Sequence, residues 1–331
     1  MNVLITGGAG FLGQRLARAL LKRGYLTDRE GQRQEIGQLM LLDLAPAPDS
    51  DDPRVRVVSG DIADPLVLAQ VIDAGTGSIF HLAAVVSGQA EADFELGMRI
   101  NLDAARLLLD RCRACGHQPK VVFTSSVAVY GGALPDVVQD ETALMPQSSY
   151  GAQKAIGELL LNDYSRRGYV DGRVLRLPTI SVRPGKPNLA ASSFASGIIR
   201  EPLNGDAAVC PVAPELRLWL MSPRGAIAAL IGGHELSAVA LQGSRTLNLP
   251  GVSVTVGEMV AALAAVAGAA VAARIRFEPN PAVERIVGSW PGAWNAERAL
   301  ALGLPADGSF EAIVHAYMED ELGIRPDAAN H

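Results

Sequence analysis

The chain has 331 residues, of which 49% are apolar and 19% are charged, and its 29 basic and 35 acidic residues give a net charge of -6. A chain of this length can bury one large or two medium hydrophobic cores, so we expect a globular protein. No block of basic residues suits a phosphate backbone, which argues against a nucleic-acid partner.

Two further features bear on location and metal binding. The apolar start of the chain runs into Gly7 without a basic leader, and the longest apolar run, residues 259–273, is shorter than the roughly 20 residues of a membrane span. We therefore expect a cytoplasmic protein without a membrane partner. Cys112 and Cys115 form a C-x-x-C pattern, but no second pair of ligands follows, so we predict no metal site.

The first half of the chain alternates strand and helix patterns. Strands are predicted at 2–6, 40–43, 55–58, 78–83, 121–125 and 174–178. Room for a helix separates each strand from the next, and connections of this kind pair strands in parallel. The pattern predicts an α/β fold with a doubly wound parallel sheet. The polar stretch 27–38 is expected to lengthen a surface loop.

The turn after the first strand carries three glycines. Gly7, Gly10 and Gly13 are spaced G-x-x-G-x-x-G, and the helix predicted at 12–23 follows directly. In this context the first glycine permits a tight turn, the second lets the backbone approach a pyrophosphate, and the third allows close helix packing. Free N–H groups at the helix start favour phosphate. We predict a dinucleotide site here, in preference to a tight turn without a ligand.

Acidic residues follow the next two strands. Asp43 ends the second strand, where its carboxylate can accept hydrogen bonds from a ribose and repel a 2′-phosphate. This favours NAD over NADP, although a solvent-facing aspartate is the simpler alternative. Asp61 and Ile62 follow the third strand. The Asp61 carboxylate either meets the adenine amino group or takes part in the N-cap of a helix that starts near Asp64.

Tyr150 and Lys154 lie four residues apart on a predicted helix, so their side chains leave one face. An ammonium close to a phenol favours the phenolate, and we expect the pKa of Tyr150 to fall toward neutrality, where it can act as a general base. Such pairs also occur on helices that perform no chemistry. Ser126 ends the fifth strand at the carboxyl edge of the sheet, and its position there favours the catalytic interpretation.

The second half of the chain lacks the regular alternation of strand and helix patterns seen in the first half. Six prolines between residues 178 and 214 favour ordered irregular loops, which commonly bind substrates. A strand at 246–249, a helix at 258–267, a strand at 274–278 and a helix at 310–321 complete the prediction. We interpret residues 1–177 as a Rossmann domain, joined by a strand returning near 246–250. Residues 178–331 are interpreted as a smaller mixed α/β substrate-binding region, interleaved with the first.

Five segments together resemble the extended short-chain dehydrogenase/reductases, which include nucleotide-sugar epimerases and dehydratases. The segments are VLITGGAGFLG, GDI, FHLAA, FTSSVAVYG and YGAQK, all within the first 180 residues. The resemblance implies that Ser126, rather than Ser125, polarises the substrate oxygen, that Tyr150 exchanges its proton, and that Lys154 also binds the nicotinamide ribose. It further implies a homodimer formed through helices at about 91–114 and 149–166.

The resemblance and the motifs above give one set of candidate residues for NAD. They are Gly7, Gly10, Phe11, Leu12, Gly13, Asp43, Asp61, Ile62, Ala83, Ala84, Asn101, Tyr150, Lys154 and Pro178. Within this set, Asn101 is expected to act as a structural support for the fourth strand.

Segments 87–101, 177–205 and 218–227 resemble more specifically the D-erythronate dehydrogenases, which oxidise a four-carbon sugar acid at C2 with NAD. The implied activity belongs to sugar-acid catabolism. Candidate substrate-binding residues are Ser87, Ser126, Tyr150, Arg183, Asn188, Ser192 and Arg224, with Ser222 as a further polar residue. For the carboxylate we favour Arg224, because little else explains a charge in its apolar segment, while Arg183 is expected to meet the cofactor instead.

Two other functions remain open at this point. A nucleotide-sugar epimerase would retain its NAD, and a non-catalytic NAD-binding regulator would keep the fold without turnover. A dehydratase is disfavoured, because Thr124, Ser125 and Ser126 stand where such enzymes often carry a Thr-Asp-Glu run.

Overall fold

The computed structural model describes residues 1–48 and 50–324. Their strands are β1 Asn2–Thr6, β2 Tyr25–Thr27, β3 Arg33–Glu35, β4 Gln38–Asp43, β5 Val55–Ser59, β6 Thr76–His81, β7 Lys120–Ser126, β8 Asp171–Leu177, β9 Thr179–Ile180, β10 Ala208–Cys210, β11 Arg217–Met221, β12 Thr246–Asn248, β13 Val252–Thr255 and β14 Ile275–Phe277.

The helices begin and end as follows: α1 Phe11–Arg23, α2 Pro65–Val71, α3 Ser87–Ala92, α4 Phe94–Gly97, α5 Ala104–Cys115, α6 Ser149–Arg166, α7 Phe194–Leu203, α8 Pro223–Glu235, α9 Ala238–Leu241, α10 Val256–Ala267, α11 Ala269–Ala272, α12 Pro281–Val287, α13 Glu297–Ala301 and α14 Phe310–Glu321. A π-helical stretch, Met98–Asp103, joins α4 to α5.

A seven-stranded sheet organises the molecule, in the order β12, β8, β7, β6, β1, β4 and β5. Each neighbouring pair is parallel, which confirms the predicted doubly wound α/β fold. Beyond β1 the chain builds outward through β4 and β5, and then returns to place β6 on the other side of β1. Such a switch point opens a crevice at the carboxyl ends of the strands.

Helices cover both faces of this sheet. Helices α1 and α8 enclose one core with it, and α2, α5 and α6 enclose another. In α1 the buried residues Gly13, Leu16, Ala17 and Leu20 recur every three or four positions, so one apolar stripe meets the sheet. Because helices cover both faces of the sheet, side chains on both sides of β1 are buried, and the strand is almost continuously apolar.

A third core lies in the second half of the chain. It is built around the three-stranded sheet of β9, β11 and β13 and includes residues of α7, α10 and α14 together with Trp290 and Trp294. Strand β12, which precedes much of this region, returns to pair with β8 in the large sheet. No helix in the described part of the chain has the length and apolar character that crossing a bilayer requires.

The structure differs from the sequence-based expectations in three connections. Stretch 27–38 is not a plain loop, because β2 and β3 form an antiparallel hairpin there. The described residues of 44–54 hold no helix, and prolines at 46, 48 and 53 explain its absence. Helix α7 occupies a region expected to be irregular, and its proline, Pro202, stands in the last turn.

Candidate active site

A cleft of about 590 Å³ opens at the switch point of the large sheet. A volume of this size is typical of small-molecule sites. Eighteen of the predicted site residues line it: Gly7, Gly10, Phe11, Leu12, Gly13, Asp43, Asp61, Ile62, Ala83, Ala84, Ser87, Ser126, Tyr150, Lys154, Pro178, Arg183, Asn188 and Ser192. Residues that are far apart in the chain therefore share one cavity.

The glycine turn forms one end of the cleft. Gly7 has a φ of +72°, and a Cβ at Gly13 would lie 2.2 Å from the Gly7 carbonyl oxygen, so neither position accepts a side chain without movement. Helix α1 starts after Gly10 with no side-chain cap. Its first N–H groups are free to bind an anion, and the turn therefore fits the pyrophosphate of a dinucleotide.

The Asp43 carboxylate is held at the end of β4. Its Oδ2 accepts a hydrogen bond from the Ala9 amide at 3.0 Å, and its Oδ1 accepts one from the Ala45 amide at 3.2 Å. These bonds link the carboxylate directly to the glycine turn. An acceptor fixed in this way suits the hydroxyls of an adenosine ribose.

Asp61 lies next along the same edge. Its carboxylate accepts a hydrogen bond from the Ala63 amide at 2.9 Å and forms an ion pair with Arg99, which also lines the cleft. Asp64 is the N-cap of α2, since its carboxylate accepts from the Leu66 amide at 2.8 Å. The capping function considered for this segment therefore belongs to Asp64, and Asp61 faces the cleft.

Local packing brings Tyr150 to the end of β7. Helix α6 is capped by Ser148, whose hydroxyl accepts from the Gly151 amide at 3.2 Å. A Cβ at Gly151 would lie 2.1 Å from the Ala128 carbonyl oxygen, so only glycine lets this first turn approach the turn after β7 so closely. This approach places Tyr150 beside Ser126.

Lys154 and Ser125 complete the surroundings of the tyrosine. The Lys154 ammonium is buried, donates to the Thr124 carbonyl oxygen at 2.9 Å and lies 5.7 Å from the centre of the Tyr150 ring. Ser125 donates its hydroxyl to the buried carboxylate of Glu158. Because the Ser125 hydroxyl already donates its hydrogen bond to Glu158, Ser126 is the better candidate to contact a substrate oxygen.

The pKa values correct one expectation. Burial raises the pKa of Tyr150 to about 12, and a hydrogen bond with Ser126 and the charge of Arg183 oppose this rise only in part. Burial lowers the pKa of Lys154 to about 8. The prediction that Lys154 brings the pKa of Tyr150 toward neutrality is therefore wrong for this structure, in which desolvation is the dominant effect.

Arg183 contributes positive charge to the cleft. Its guanidinium donates to the Asn188 side-chain oxygen at 3.3 Å, and no carboxylate of the described residues forms an ion pair with it. Burial and the neighbouring charge of Arg200 lower the pKa of Arg183, and Tyr150 has the opposite effect. A desolvated cation without a counter-charge favours an anionic ligand.

Three predicted residues lie outside the cleft. Arg224 is half-exposed on α8 and forms ion pairs with Glu319 at 2.8 Å and Asp320 at 2.6 Å, so its charge is already compensated at the surface. Ser222 is the N-cap of the same helix. Both placements correct the expectation that segment 218–227 contacts the substrate: β11 belongs to the small sheet and α8 packs against the face of the large one.

Asn101 also lies outside the cleft lining. Its side chain accepts from the Val85 amide at 2.8 Å and donates to the Val85 carbonyl oxygen at 3.0 Å and to Gln153 at 2.8 Å. It therefore supports the chain after β6 from behind, as a structural residue. Its inclusion in the cofactor-binding set is therefore corrected, while its expected role as a support after the fourth predicted strand agrees with these contacts.

Sequence reasoning missed other residues of the cleft. Arg99 was not considered, although it lies two positions before Asn101. Trp290 lines the wall of the cleft, and no nearby motif identifies it, because it lies more than 100 residues after the catalytic candidates.

Cys112 is buried among apolar residues, where burial raises the pKa of its thiol to about 12. No group of three or more metal-ligating side chains occurs within residues 1–48 and 50–324.

Comparison with known proteins gives a consistent result. The model of the NAD dependent epimerase/dehydratase family matches residues 3–219. A protein of Cupriavidus necator named D-erythronate dehydrogenase is 69% identical over 97% of this chain and 98% of its own length. A D-erythronate dehydrogenase of Haemophilus influenzae is 47% identical over 97% of this chain and all of its own length.

A solved structure is also similar along nearly the whole chain. It is described as the nucleoside-diphosphate-sugar epimerase from Agrobacterium tumefaciens, and it superposes with a TM-score of 0.91 at 45% identity. The match covers 98% of this chain and 95% of the other. The chain is thus similar to proteins whose names indicate two different activities.

Proposed function

This chain belongs to the NAD dependent epimerase/dehydratase family, and from that membership we propose that it is an NAD-dependent dehydrogenase that oxidises D-erythronate to 2-keto-D-erythronate. The proposed substrate agrees with the names of the relatives that are 69% and 47% identical. The same comparisons support the resemblance noted in the sequence.

The single observation that carries this proposal is the Arg183 guanidinium. It lies in the cleft with Tyr150, it is partly buried with its Nε inaccessible and unpartnered, and no described carboxylate pairs with it. A sugar acid brings the missing negative charge, whereas an uncharged sugar does not. The diphosphate of a nucleotide-sugar also carries negative charge, so the redox balance of the reaction separates these two substrates. We accordingly assign the substrate carboxylate to Arg183, with Asn188 and Ser192 beside it.

NAD fits the other end of the cleft. The glycine turn leaves no room for a Cβ at Gly13, and the uncapped start of α1 that follows it suits a pyrophosphate. The fixed carboxylate of Asp43 suits a ribose. When bound, NAD supplies the hydride acceptor. The carboxylate of Asp43 disfavours a 2′-phosphate, so we propose NAD rather than NADP as the cofactor.

The residues around the reacting carbon have separate roles. Ser126 donates a hydrogen bond to the C2 oxygen, and Tyr150 takes the hydroxyl proton as the C2 hydrogen leaves as hydride. Lys154 holds positive charge close to the Tyr150 ring and so favours the phenolate during the reaction. Arg183 adds positive charge on the substrate side and orients the acid by its carboxylate.

The proposal predicts the effect of Arg183→Gln. The variant should raise the KM for D-erythronate at least about tenfold and leave the KM for NAD unchanged, because a charged hydrogen bond to the acid is lost. Formation of reduced nicotinamide is measured in both cases. Arg224→Gln is the matched control, since Arg224 has carboxylate partners at the surface. An unchanged KM for the acid in Arg183→Gln would remove the assignment of Arg183.

The similar Agrobacterium tumefaciens structure supports a second candidate, a nucleotide-sugar epimerase. The two activities differ in their redox balance. An epimerase converts a UDP-sugar without net formation of reduced cofactor, while the proposed dehydrogenase forms it with D-erythronate. Conversion of a UDP-sugar, together with no reduction of NAD by D-erythronate, would favour the epimerase.

We also propose a cytoplasmic homodimer. The helices expected at the interface carry exposed apolar side chains, namely Phe94 on α4 and Ile156 and Leu159 on α6. These two helices pack side by side. Exposed apolar groups that lie together on adjacent helices are typical of an interface.

A further inference from the structure

The carboxylate of Glu158 is buried beside the active site, on the helix that carries Tyr150 and Lys154. The three residues are spaced by four positions, so neighbouring side chains leave the same side of α6. Glu158 is 2% exposed and accepts a hydrogen bond from the Ser125 hydroxyl, while the Lys154 ammonium donates to the Thr124 carbonyl oxygen at 2.9 Å. Both side chains therefore attach α6 to the end of β7.

Arg176 of β8 holds the Glu158 carboxylate in place. Its guanidinium donates to both carboxylate oxygens, at 2.9 and 2.6 Å. It also donates to the Tyr130 hydroxyl, which in turn donates to the Asn248 side-chain oxygen at 2.9 Å. A buried carboxylate with two hydrogen bonds from a guanidinium and one from a hydroxyl has a fixed position and a fixed charge.

Buried Lys154 has one negative charge facing it among the described residues. Burial lowers the pKa of Lys154 to about 8, and the charge of Glu158 opposes this fall. Burial and the charge of Lys154 lower the pKa of His81 to about 3, so its imidazole is neutral at pH 7. Glu91 is exposed and accepts from a backbone amide at the start of α6. The charged and titratable groups around Lys154 are thus Tyr150 and Glu158 of α6, His81 of β6, Arg176 of β8 and Glu91 of α3.

We propose that Glu158 is a positioning residue for the reaction, whose buried carboxylate keeps the Lys154 ammonium charged beside Tyr150. This role rests on the proposed function, in which Lys154 favours the phenolate, and extends it by one residue. Glu158 acts through Lys154, since its own oxygens are bound to Ser125 and Arg176. An opposite charge close to a buried ammonium favours its protonated form.

The test uses the pH dependence of kcat in Glu158→Gln, which removes the charge and keeps the shape of the side chain. The reacting form has a phenolate at Tyr150 and an ammonium at Lys154. At pH 6 Lys154 is charged in both enzymes, so their kcat values should differ little. Without the carboxylate the pKa of Lys154 should fall by about one unit or more, and kcat at pH 9 should be roughly tenfold below that of the unmodified enzyme.

Three further variants separate the charge from the packing. Glu158→Asp keeps the charge, and Ser125→Ala removes a hydrogen bond without changing any charge, so each should change kcat by the same factor at pH 6 and pH 9. Glu158→Gln leaves the Arg176 guanidinium buried without its partner, which destabilises a folded protein. The double variant Glu158→Gln/Arg176→Gln removes both charges of the pair, and it should still lose more activity at pH 9 than at pH 6.

The charge of Lys154 can also be followed without any substrate, because the chain has only four lysines. With isotope-labelled lysine, the ε-carbon signal of Lys154 is assigned through Lys154→Arg and titrated by NMR. The midpoint of this titration should lie about one pH unit lower, or more, in Glu158→Gln than in the unmodified protein.

The outcomes distinguish this role from the proposed function. An equal loss of kcat at pH 6 and pH 9 in Glu158→Gln, or an unchanged Lys154 midpoint, would overturn the role of Glu158, while oxidation of D-erythronate by the unmodified enzyme would keep the proposed function in place. A shifted midpoint in a protein that does not oxidise D-erythronate would overturn the proposed function alone, since Glu158 would still set the charge of Lys154.

Discussion

At the scale of single residues, the proposed chemistry depends on how Tyr150 ionises. Burial raises the pKa of its phenol to about 12, so the neutral form is favoured at pH 7. Below its pKa, the phenolate fraction grows about tenfold with each pH unit. We expect the rate of oxidation to rise with pH for this reason, and the hydrogen bond with Ser126 and the positive charge of Arg183, which both lower the pKa of Tyr150, should make the rise begin earlier.

Replacement of Tyr150 by phenylalanine tests the base directly. Tyr150→Phe should lower kcat by about 10²- to 10⁴-fold, because it keeps the ring and removes the proton acceptor. The matched control is Tyr164→Phe on the same helix, where the hydroxyl donates to Asp110 outside the cleft. If the kcat of Tyr150→Phe were close to that of the unmodified enzyme, another group would have to take the proton.

We propose that a second residue, Asp43, decides the choice between NAD and NADP. The unmodified enzyme should prefer NAD over NADP in kcat/KM, and Asp43→Ser should narrow the preference, because the fixed carboxylate that repels a 2′-phosphate is removed. Steady-state rates with both cofactors measure this effect. Glu278→Ser, which removes an exposed carboxylate outside the cleft lining, is the control. Equal efficiency with the two cofactors before mutation would contradict the role of Asp43.

The cofactor end of the site was predictable because its residues are close in sequence. Gly7, Gly10 and Gly13 share one turn, and their strand and helix context is visible without a structure. The substrate end of the site was not predictable in the same way. Arg224 was expected to bind the substrate carboxylate because it is a charged residue in an apolar segment. Its ion-pair partners, Glu319 and Asp320, lie 95 and 96 residues away in the sequence, so no local pattern predicts the pairing.

At the scale of elements, the end of α8 depends on one carboxylate. Glu235 accepts from the Thr27 amide at 3.0 Å, pairs with Arg23 at 2.8 Å and contacts His234 at 3.2 Å, which ties α8 to the hairpin of β2 and β3. Burial alone would raise the pKa of Glu235, but these hydrogen bonds and charges lower it to about 2.

This depressed pKa predicts a pH-dependent stability. The contribution of Glu235 is fully present above about pH 4.5 and is lost as the pH falls toward 2, because the folded state holds the ionised form. Glu235→Gln should lower the free energy of unfolding by about 1 to 3 kcal/mol at pH 7, with a smaller difference near pH 3. Urea unfolding measures it. Glu278→Gln, on an exposed carboxylate, is the control, and an equal loss at both pH values would contradict the assignment.

Strands of the large sheet were predictable for a related reason. Strands β1 and β4 are short apolar runs buried on both faces, and the predicted bounds lie within two residues of those observed. The hairpin of β2 and β3 was missed because polar residues dominate it. Its stability comes from long-range contacts, including the one with Glu235, which a local pattern does not contain.

At the scale of the whole molecule, the proposed homodimer would depend on an apolar surface. Leu159 is 68% exposed on α6, close to the residues expected at a dimer interface. Leu159→Glu should shift the mass measured by light scattering from dimer to monomer, because a charge would be buried without a partner. The control is Val239→Glu, at a still more exposed apolar position on α9, outside the expected interface. A monomeric unmodified chain would contradict the proposal.

Strand β12 at the edge of the large sheet affects how the protein can be synthesised. Its partner β8 is complete at residue 177, but β12 begins only at residue 246, so a growing chain must be extended by nearly 70 residues before the pairing can form. Until then β8 is an uncovered edge strand, and such edges promote association between chains. A ribosome that pauses in this interval would hold a nascent chain whose β8 edge is still open to association with other chains.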